Sequence, residues 1–209
     1  LGTLFNLFLT LTAGFALSRR EMPFRRIVMA VFTVTMFISG GLVPTFLLVK
    51  NTLKLYNTFF VMILLSGLSV YNMIICRTFF ENTIPEDLWD AVQVDGCNEF
   101  RYFVSIVLPL SGAVVAVLAL YYAVGHWNSY FNAMIYLRDK SLFSLQLVLR
   151  NILIANQYTD DMASLDVGAD TTLKLQTMKY AIIVVSTVPM LIIYPFVQKH
   201  FVKGVMIGA

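Results

Sequence analysis

The sequence predicts an all-α protein, a polytopic bundle of transmembrane helices. Hydrophobic residues make up 58% of the 209 positions and charged residues only 13%, whereas about a quarter of a soluble domain is charged. Five segments contain no Asp, Glu, Lys, Arg or His, and each is close to the roughly 20 residues that a helix needs to cross a bilayer. They predict five spans within a single transmembrane domain covering 1–209, at 1–17, 27–49, 58–76, 102–125 and 180–198.

Basic residues predict how these spans are oriented. The loop after the first span is the most basic short loop of the chain, with Arg19, Arg20, Arg25 and Arg26, and short loops rich in Arg and Lys stay in the cytoplasm. Alternation then places a loop at 81–101 in the cytoplasm and a long loop at 126–179 outside. Because residue 1 lies inside an apolar run, the first span is expected to begin before it.

Glycine and proline residues are expected to change the course of the second and fourth predicted spans. The second span includes Gly40, Gly41 and Pro44, which predict either a hinge lining a pathway or close packing against a neighbouring helix. Pro109 lies near the start of the fourth span, where we expect a kink that sets the angle between that span and the preceding loop.

The densest run of charge lies at 84–109 and predicts a short helix, a turn and a second helix. Pro85 suits a helix start, and the carboxylates of Glu86 and Asp87 complement its positive end. Gly96 is typical of a helix stop, and a second helix is expected from about Asn98.

The first of these short helices has an apolar, aromatic side. Leu88, Trp89 and Val92 fall on or near one face at helical spacing. Because the helix lies between two membrane spans, we expect this face to be buried against a partner protein.

The same stretch resembles the EAA loop of ABC importer permeases, in which the pattern is roughly E-A-A, three residues, G, nine residues, I-x-L-P. The sequence departs from it at Asp90, where Glu is usual, at Val92, where Ala is usual, and at Cys97, where Ala is common. The matching segments are Asp90-Ala91-Val92, Asp95-Gly96-Cys97 and Ile106-Val107-Leu108-Pro109. The alternative is an ordinary amphipathic connector.

In that family the loop is the coupling helix that sits in a groove of the ATP-hydrolysing subunit. The resemblance therefore implies a set of residues that couple this chain to an ATPase: Pro85, Glu86, Leu88, Trp89, Asp90, Ala91, Val92, Asp95 and Gly96.

Aromatic and amide side chains cluster where the fourth span meets the outer loop, and a similar G-x-W-N stretch follows this span in carbohydrate-importing permeases. Aromatic rings stack on the apolar faces of sugars while amides hydrogen-bond to hydroxyls. The alternative is an interfacial aromatic belt. The residues expected to line a substrate pathway are Tyr121, Tyr122, Trp127, Asn128, Tyr130 and Asn132.

Several function classes lack their motifs in this sequence. The predicted spans contain no ionisable residue of the kind that ion-coupled carriers use. The sequence has no G-x-x-x-x-G-K-[ST] motif, no metal-ligand cluster and no catalytic constellation. We therefore expect a non-catalytic chain without a metal or cofactor of its own, driven through its cytoplasmic loop.

The resemblance covers nearly the whole chain and implies the type I ABC importer permease fold, in the maltose-type carbohydrate branch. It also implies six spans in the intact protein, one of them before residue 1. It implies a second homologous permease subunit, two ATP-binding subunits that bind ATP and Mg, and an extracytoplasmic solute-binding protein. It also implies an oligosaccharide substrate and a location in the cell membrane of a prokaryote. The alternatives are an importer of another small solute and a channel or structural membrane subunit.

Overall fold

A computed structural model describes the backbone of residues 1–163 and 169–205, and the side chains of 1–85, 87–155 and 177–195. Within these residues the chain is helical, with π-helical turns at Leu48–Thr52 and Phe103–Val107 and a 3-10 turn at Lys140–Leu142. The α-helices are α1 (Gly2–Ser18), α2 (Arg25–Phe37), α3 (Leu42–Leu47), α4 (Phe59–Leu64), α5 (Val70–Thr83), α6 (Glu86–Val94), α7 (Glu99–Tyr102), α8 (Leu108–Leu110), α9 (Gly112–Trp127), α10 (Tyr130–Tyr136), α11 (Leu145–Ala163) and α12 (Ala169–Val205).

Helix α1 is the centre of the larger apolar core, where it packs against α5 and α9. Gly14 brings α1 close to α5, because a Cβ atom at this position would lie only 2.8 Å from Cys76 Sγ. The core is continuous with the aromatic residues of α6 and α7. Its buried members are Leu7, Leu11, Cys76, Phe80, Trp89, Tyr102, Phe103, Val107, Val114, Leu118 and Tyr122.

A second apolar core lies at the other end of the structure, between the turn after α3 and helices α4, α10 and α11. Asn57 holds this region together, since its side-chain oxygen accepts hydrogen bonds from the backbone N–H groups of Arg138 (2.8 Å) and Asp139 (3.0 Å). The buried members of this core are Val49, Val61, Ala133, Tyr136, Leu137 and Leu147.

Three of the predicted spans are divided in the structure. The second bends by 111° between α2 and α3, where Gly41 has a φ of +78° that favours glycine. A Cβ atom at Gly40 would meet nothing within 4 Å, so Gly40 lies at the bend and makes no close helix contact within the described part of this chain. The third is interrupted between α4 and α5, at 65–69.

The fourth predicted span bends by 83° between Glu99–Leu110 and Gly112–Trp127. The bend falls at Ser111, two residues after Pro109, and the Ser111 hydroxyl donates to the Val107 carbonyl (2.6 Å). By length and composition, one described helix could cross a membrane, at Thr177–Pro195, and three could if each bent pair is a single span. The five-span arrangement stays a prediction, and residues 164–168 of the predicted outer loop and residues 206–209 lie outside the described residues.

The close contact between α1 and α5 can be tested by replacing Gly14 with Ala. We expect the free energy of unfolding to fall by about 1–3 kcal/mol, as for other overpacked cores, because the new methyl group would also lie 3.3 Å from the backbone nitrogen of Arg77. Thermal unfolding in detergent would measure the loss. Adding Cys76→Ala should recover part of it by removing the Sγ atom.

The matched control for this prediction is Gly125→Ala in α9. A Cβ atom at Gly125 would meet nothing within 4 Å, so this change should leave stability unaltered or raise it by up to about 1 kcal/mol. An equal loss at both glycines would show that contact with α5 is not the reason glycine is needed at position 14.

Candidate functional site

The acidic stretch folds as the predicted helix, turn and helix. Pro85 immediately precedes α6, and the helix ends at Gly96, whose φ of +70° is left-handed. The N–H of Gly96 donates to the Gln93 carbonyl (2.9 Å) and the next N–H donates to the Val92 carbonyl (3.2 Å), as at other glycine-terminated helices. The Asn98 side chain accepts from the Phe100 N–H (3.3 Å) at the start of α7. The predicted stop and restart are confirmed.

The apolar side of α6 faces the protein itself. Trp89 is only 5% exposed, and its ring centroid lies 5.0 Å from that of Tyr102. The guanidinium of Arg19 lies 4.4 Å from the Trp89 centroid. Leu88 and Val92 are half-buried against the same core. Trp89 is therefore packed within this chain and not left open for a partner protein, whereas the proposed coupling role of Leu88, Trp89 and Val92 stays a prediction.

The opposite side of α6 is open to contact, and we call it the exposed face of α6. It carries one large apolar group that the sequence reasoning did not single out, Val94, which is 89% exposed, and Phe100 of the neighbouring α7 is 74% exposed. Their position beside acidic residues in the sequence could have identified them as part of a contact surface. The Glu86 side chain lies outside the described residues. The other members of the face are Asp87, Asp90, Ala91, Asp95 and Gly96.

A second region is a polar cavity of about 460 Å³ between the α4–α5 break and the end of α9. Four of the six predicted pathway residues line it, namely Tyr121, Tyr122, Asn128 and Asn132. The remaining lining residues are Ser66, Leu68, Ser69, Asn72, Gly125, His126, Ser129 and Phe131. The cavity therefore offers hydroxyl, amide and aromatic groups together.

One wall of this cavity is fixed by hydrogen bonds that join α1, α9 and the α4–α5 break. The Tyr122 hydroxyl is 2.5 Å from Thr10 Oγ1 and accepts from the Ser69 N–H (3.2 Å). Asn6 donates to the Ser66 carbonyl, and its Oδ1 lies 3.3 Å from His126 Nε2. These contacts hold the hydroxyl and amide groups in a set arrangement next to the open space.

Asn6 and Thr10 are fully buried, and the sequence reasoning missed both. Their spacing of four residues in an otherwise apolar helix was the signal, since it puts both on one face. The two remaining pathway residues, Trp127 and Tyr130, lie outside the cavity lining. The Trp127 indole donates to the Ser186 carbonyl on α12 (3.1 Å), and the Tyr130 ring lies 5.8 Å from the guanidinium of Arg150.

Residues 7–207 match the family described as "Binding-protein-dependent transport system inner membrane component". This chain belongs to that family. Its members are permease components of ABC transporters, which are non-catalytic transmembrane subunits. The recognition of an ABC importer permease from the sequence is confirmed, as are the all-α fold class and the assignment as a subunit without catalytic activity.

Individual relatives of this permease are similar over its whole length. The polygalacturonan/rhamnogalacturonan transport system permease protein YtcP of Bacillus subtilis is 40% identical, with 100% of this chain and 72% of the relative covered. Protein LplC of the same organism is 39% identical, with 100% and 69% covered.

A solved structure has the same fold. The crystal structure of a bacterial ABC transporter involved in the import of the acidic polysaccharide alginate matches with a TM-score of 0.80 and 29% identity. The match covers 96% of the permease and 70% of that chain.

Proposed function

We propose that this permease forms half of the translocation pathway of an ATP-driven importer of oligosaccharides. The observation that carries the proposal is the exposed face of α6, which joins acidic and apolar side chains on a helix whose other side is anchored in the core. Trp89 of α6 packs against Tyr102 of α7. A movement of α6 would therefore be transmitted directly to the core.

The polar cavity supports the substrate class. Aromatic rings at Tyr121 and Phe131 and amides at Asn72, Asn128 and Asn132 line one space, and these are the groups that stack on sugar rings and bond to their hydroxyls. The names of the relatives refer to polygalacturonan, rhamnogalacturonan and alginate, all of them polymers of sugars. We therefore assign this cavity to the pathway for saccharide fragments.

The proposed assembly contains a second homologous permease, two ATP-binding subunits and an extracytoplasmic solute-binding protein. The ATP that drives transport, together with Mg, would be bound by the ATP-binding subunits. The location is the cytoplasmic membrane of a prokaryote, with loop 81–101 facing the cytoplasm and loop 126–179 facing outward.

Charge reversal on the exposed face of α6 tests the proposed coupling. We expect Asp90→Lys to lower ATP-driven uptake in reconstituted vesicles by at least about tenfold, the equivalent of 1.4 kcal/mol, because a carboxylate that meets the ATPase is replaced by a cation. Asp90→Asn, which keeps the shape and removes only the charge, should have a smaller effect.

Both Asp90 variants should insert and purify in normal amounts, because the residue is exposed. Uptake at the unaltered level with Asp90→Lys would rule out this face as the ATPase contact. The substrate class has its own test, which is uptake of neutral and acidic oligosaccharides and of amino acids by the complex with its solute-binding protein. Saturable uptake of a non-carbohydrate alone would replace the assignment with an importer of another small solute.

A further inference from the structure

A second cavity lies on the predicted cytoplasmic side, between α6 and the ends of α1 and α5. It has a volume of about 420 Å³, and we call it the arginine cleft. On the predicted topology it lies where the spans meet the cytoplasm, which would place it at the depth of the lipid headgroups. Six of its lining residues matter here: Arg19, Arg25, Arg77, Glu81, Trp89 and Tyr102.

Two of the arginines already have partners. The Glu81 carboxylate accepts from Arg77 (2.7 Å) and pairs with Arg25 (3.2 Å). The same guanidinium groups also donate to backbone carbonyls at the end of α1, at Leu17 (3.1 Å) and Ser18 (3.1 Å). In this ion-paired set both guanidinium groups contact the same oxygen of Glu81, Oε1.

Arg19 is placed differently. Its side chain is only 18% exposed, yet its carboxylate partner, Glu21, is 62% exposed and 3.9 Å away, which is beyond hydrogen-bond distance. The guanidinium instead lies over the rings of Trp89 (4.4 Å) and Tyr102 (5.9 Å). The carboxylate of Asp90, at the edge of the cleft, forms no ion pair with it among the described side chains.

The two rings under Arg19 bring further unpaired groups. The Trp89 indole nitrogen and the Tyr102 hydroxyl are buried without a hydrogen-bond partner among the described residues, in side chains that are 5% and 1% exposed. An indole N–H and a guanidinium can only donate, and a phenol can donate. Buried polar groups are otherwise almost always paired. Among the described residues, this part of the cleft therefore brings together donor groups and a positive charge, and the carboxylate that pairs with Arg19 lies 3.9 Å away.

We propose that the arginine cleft binds an oxyanion, specifically a phosphate group, between Arg19, Trp89 and Tyr102. Phosphate supplies several acceptor oxygens to the planar guanidinium fork, and basic pockets on the cytoplasmic side of membrane helices bind anionic headgroups. The source of the phosphate is either an anionic phospholipid or free inorganic phosphate. This site is separate from the saccharide cavity and does not depend on the substrate class.

The test for the lipid source uses the purified transporter complex in nanodiscs of phosphatidylcholine with and without phosphatidylglycerol. Native mass spectrometry would count the phosphatidylglycerol molecules retained by each copy. We expect Arg19→Gln to lower this specific retention by at least about tenfold and Tyr102→Phe to lower it about fivefold, in line with the loss of hydrogen bonds to a charged group and of one hydroxyl. Arg19→Lys keeps the charge but not the fork, and should fall between Arg19→Gln and the wild type.

Arg26→Gln is the matched control, because Arg26 is a neighbouring exposed arginine outside the cleft lining. It removes the same charge from the same loop and should leave phosphatidylglycerol retention unchanged. The free-phosphate arm compares thermal unfolding of the complex in phosphate and chloride at matched ionic strength, without anionic lipid. A phosphate-dependent rise in Tm that Arg19→Gln abolishes identifies inorganic phosphate as the source.

The outcomes are separable. Retention or a Tm rise that depends on Arg19 and not on Arg26 supports the phosphate site and names its source. Equal losses in Arg19→Gln and Arg26→Gln, or no effect in either arm, would overturn it in favour of a general surface potential. Loss of the ATP-binding subunits from Arg19→Gln complexes would also overturn it, since the cleft would then be part of that protein interface. Neither lipid retention nor thermal unfolding depends on uptake. Support for the phosphate site would therefore remain even if the assignment as an importer failed.

Discussion

Replacement of Gly96 by Val is expected to lower substrate-stimulated ATP hydrolysis and uptake by at least about tenfold. Gly96 has a φ of +70° at the end of α6, and a β-branched residue in that conformation is strongly disfavoured. A Cβ atom here would meet nothing within 4 Å, so the effect comes from the backbone and not from a clash. Leaving the left-handed conformation would unwind the last turn of α6 and displace Val94 and Asp95 from the proposed ATPase contact.

Asn at the same position separates backbone conformation from side-chain size. Asn adopts the left-handed region far more readily than Val, so Gly96→Asn should retain most of the coupled hydrolysis in the reconstituted complex. Similar losses with both residues would mean that the absence of a side chain matters at this surface, and would overturn the conformational explanation while leaving the contact itself in place.

The sequence predicted the end of α6 and the start of α7 well because local rules decide them. Gly96 and Asn98 terminate and start helices through bonds that span only a few residues. The direction of α6 was beyond those rules. Trp89 faces inward because Arg19, just after α1, and Tyr102 of α7 lie beside it. Neither neighbour follows from the spacing within residues 86–94.

The breaks within the predicted spans illustrate the same limit. The second predicted span was expected to bend or to pack closely at Gly40, Gly41 and Pro44, because glycine and proline restrict or free the conformation of their own backbone. The break between α4 and α5, at 65–69, contains no proline. Long-range hydrogen bonds contribute to it: the Ser66 carbonyl accepts from Asn6, and the Ser69 N–H donates to the Tyr122 hydroxyl. Partners 60 and 53 residues away cannot be read from hydropathy.

Residue types in the sequence located only part of the lining of the polar cavity. Tyr121, Tyr122, Asn128 and Asn132 were predicted from the residue types that bind sugars, and the fold brings them to one space. Trp127 belongs to the same short stretch but points to α12, because successive residues of a helix face different directions. Asn6, which holds one wall of the cavity, lies in α1. This helix is distant in sequence, and its pattern predicts only a membrane span.

Gly125→Trp is expected to reduce uptake by at least about tenfold while leaving the protein folded. Gly125 lines the polar cavity, and a Cβ atom there would meet nothing within 4 Å. An indole ring could therefore enter the open space without displacing the backbone, and it would occupy volume that a sugar ring needs. Uptake of labelled oligosaccharide in reconstituted vesicles measures the block, and unaltered thermal unfolding shows that the fold persists.

Gly112→Trp is the matched control, since Gly112 lies in the same helix, is exposed, and also has nothing within 4 Å of an added Cβ atom. It does not line the cavity, so we expect uptake close to that of the unaltered protein. Because the two variants add the same side chain to one helix, a difference between them isolates the cavity from effects on insertion. Normal uptake in Gly125→Trp would place the saccharide route elsewhere, and the hydroxyl and amide groups around Tyr122 would then serve only to hold α1 against the broken helix.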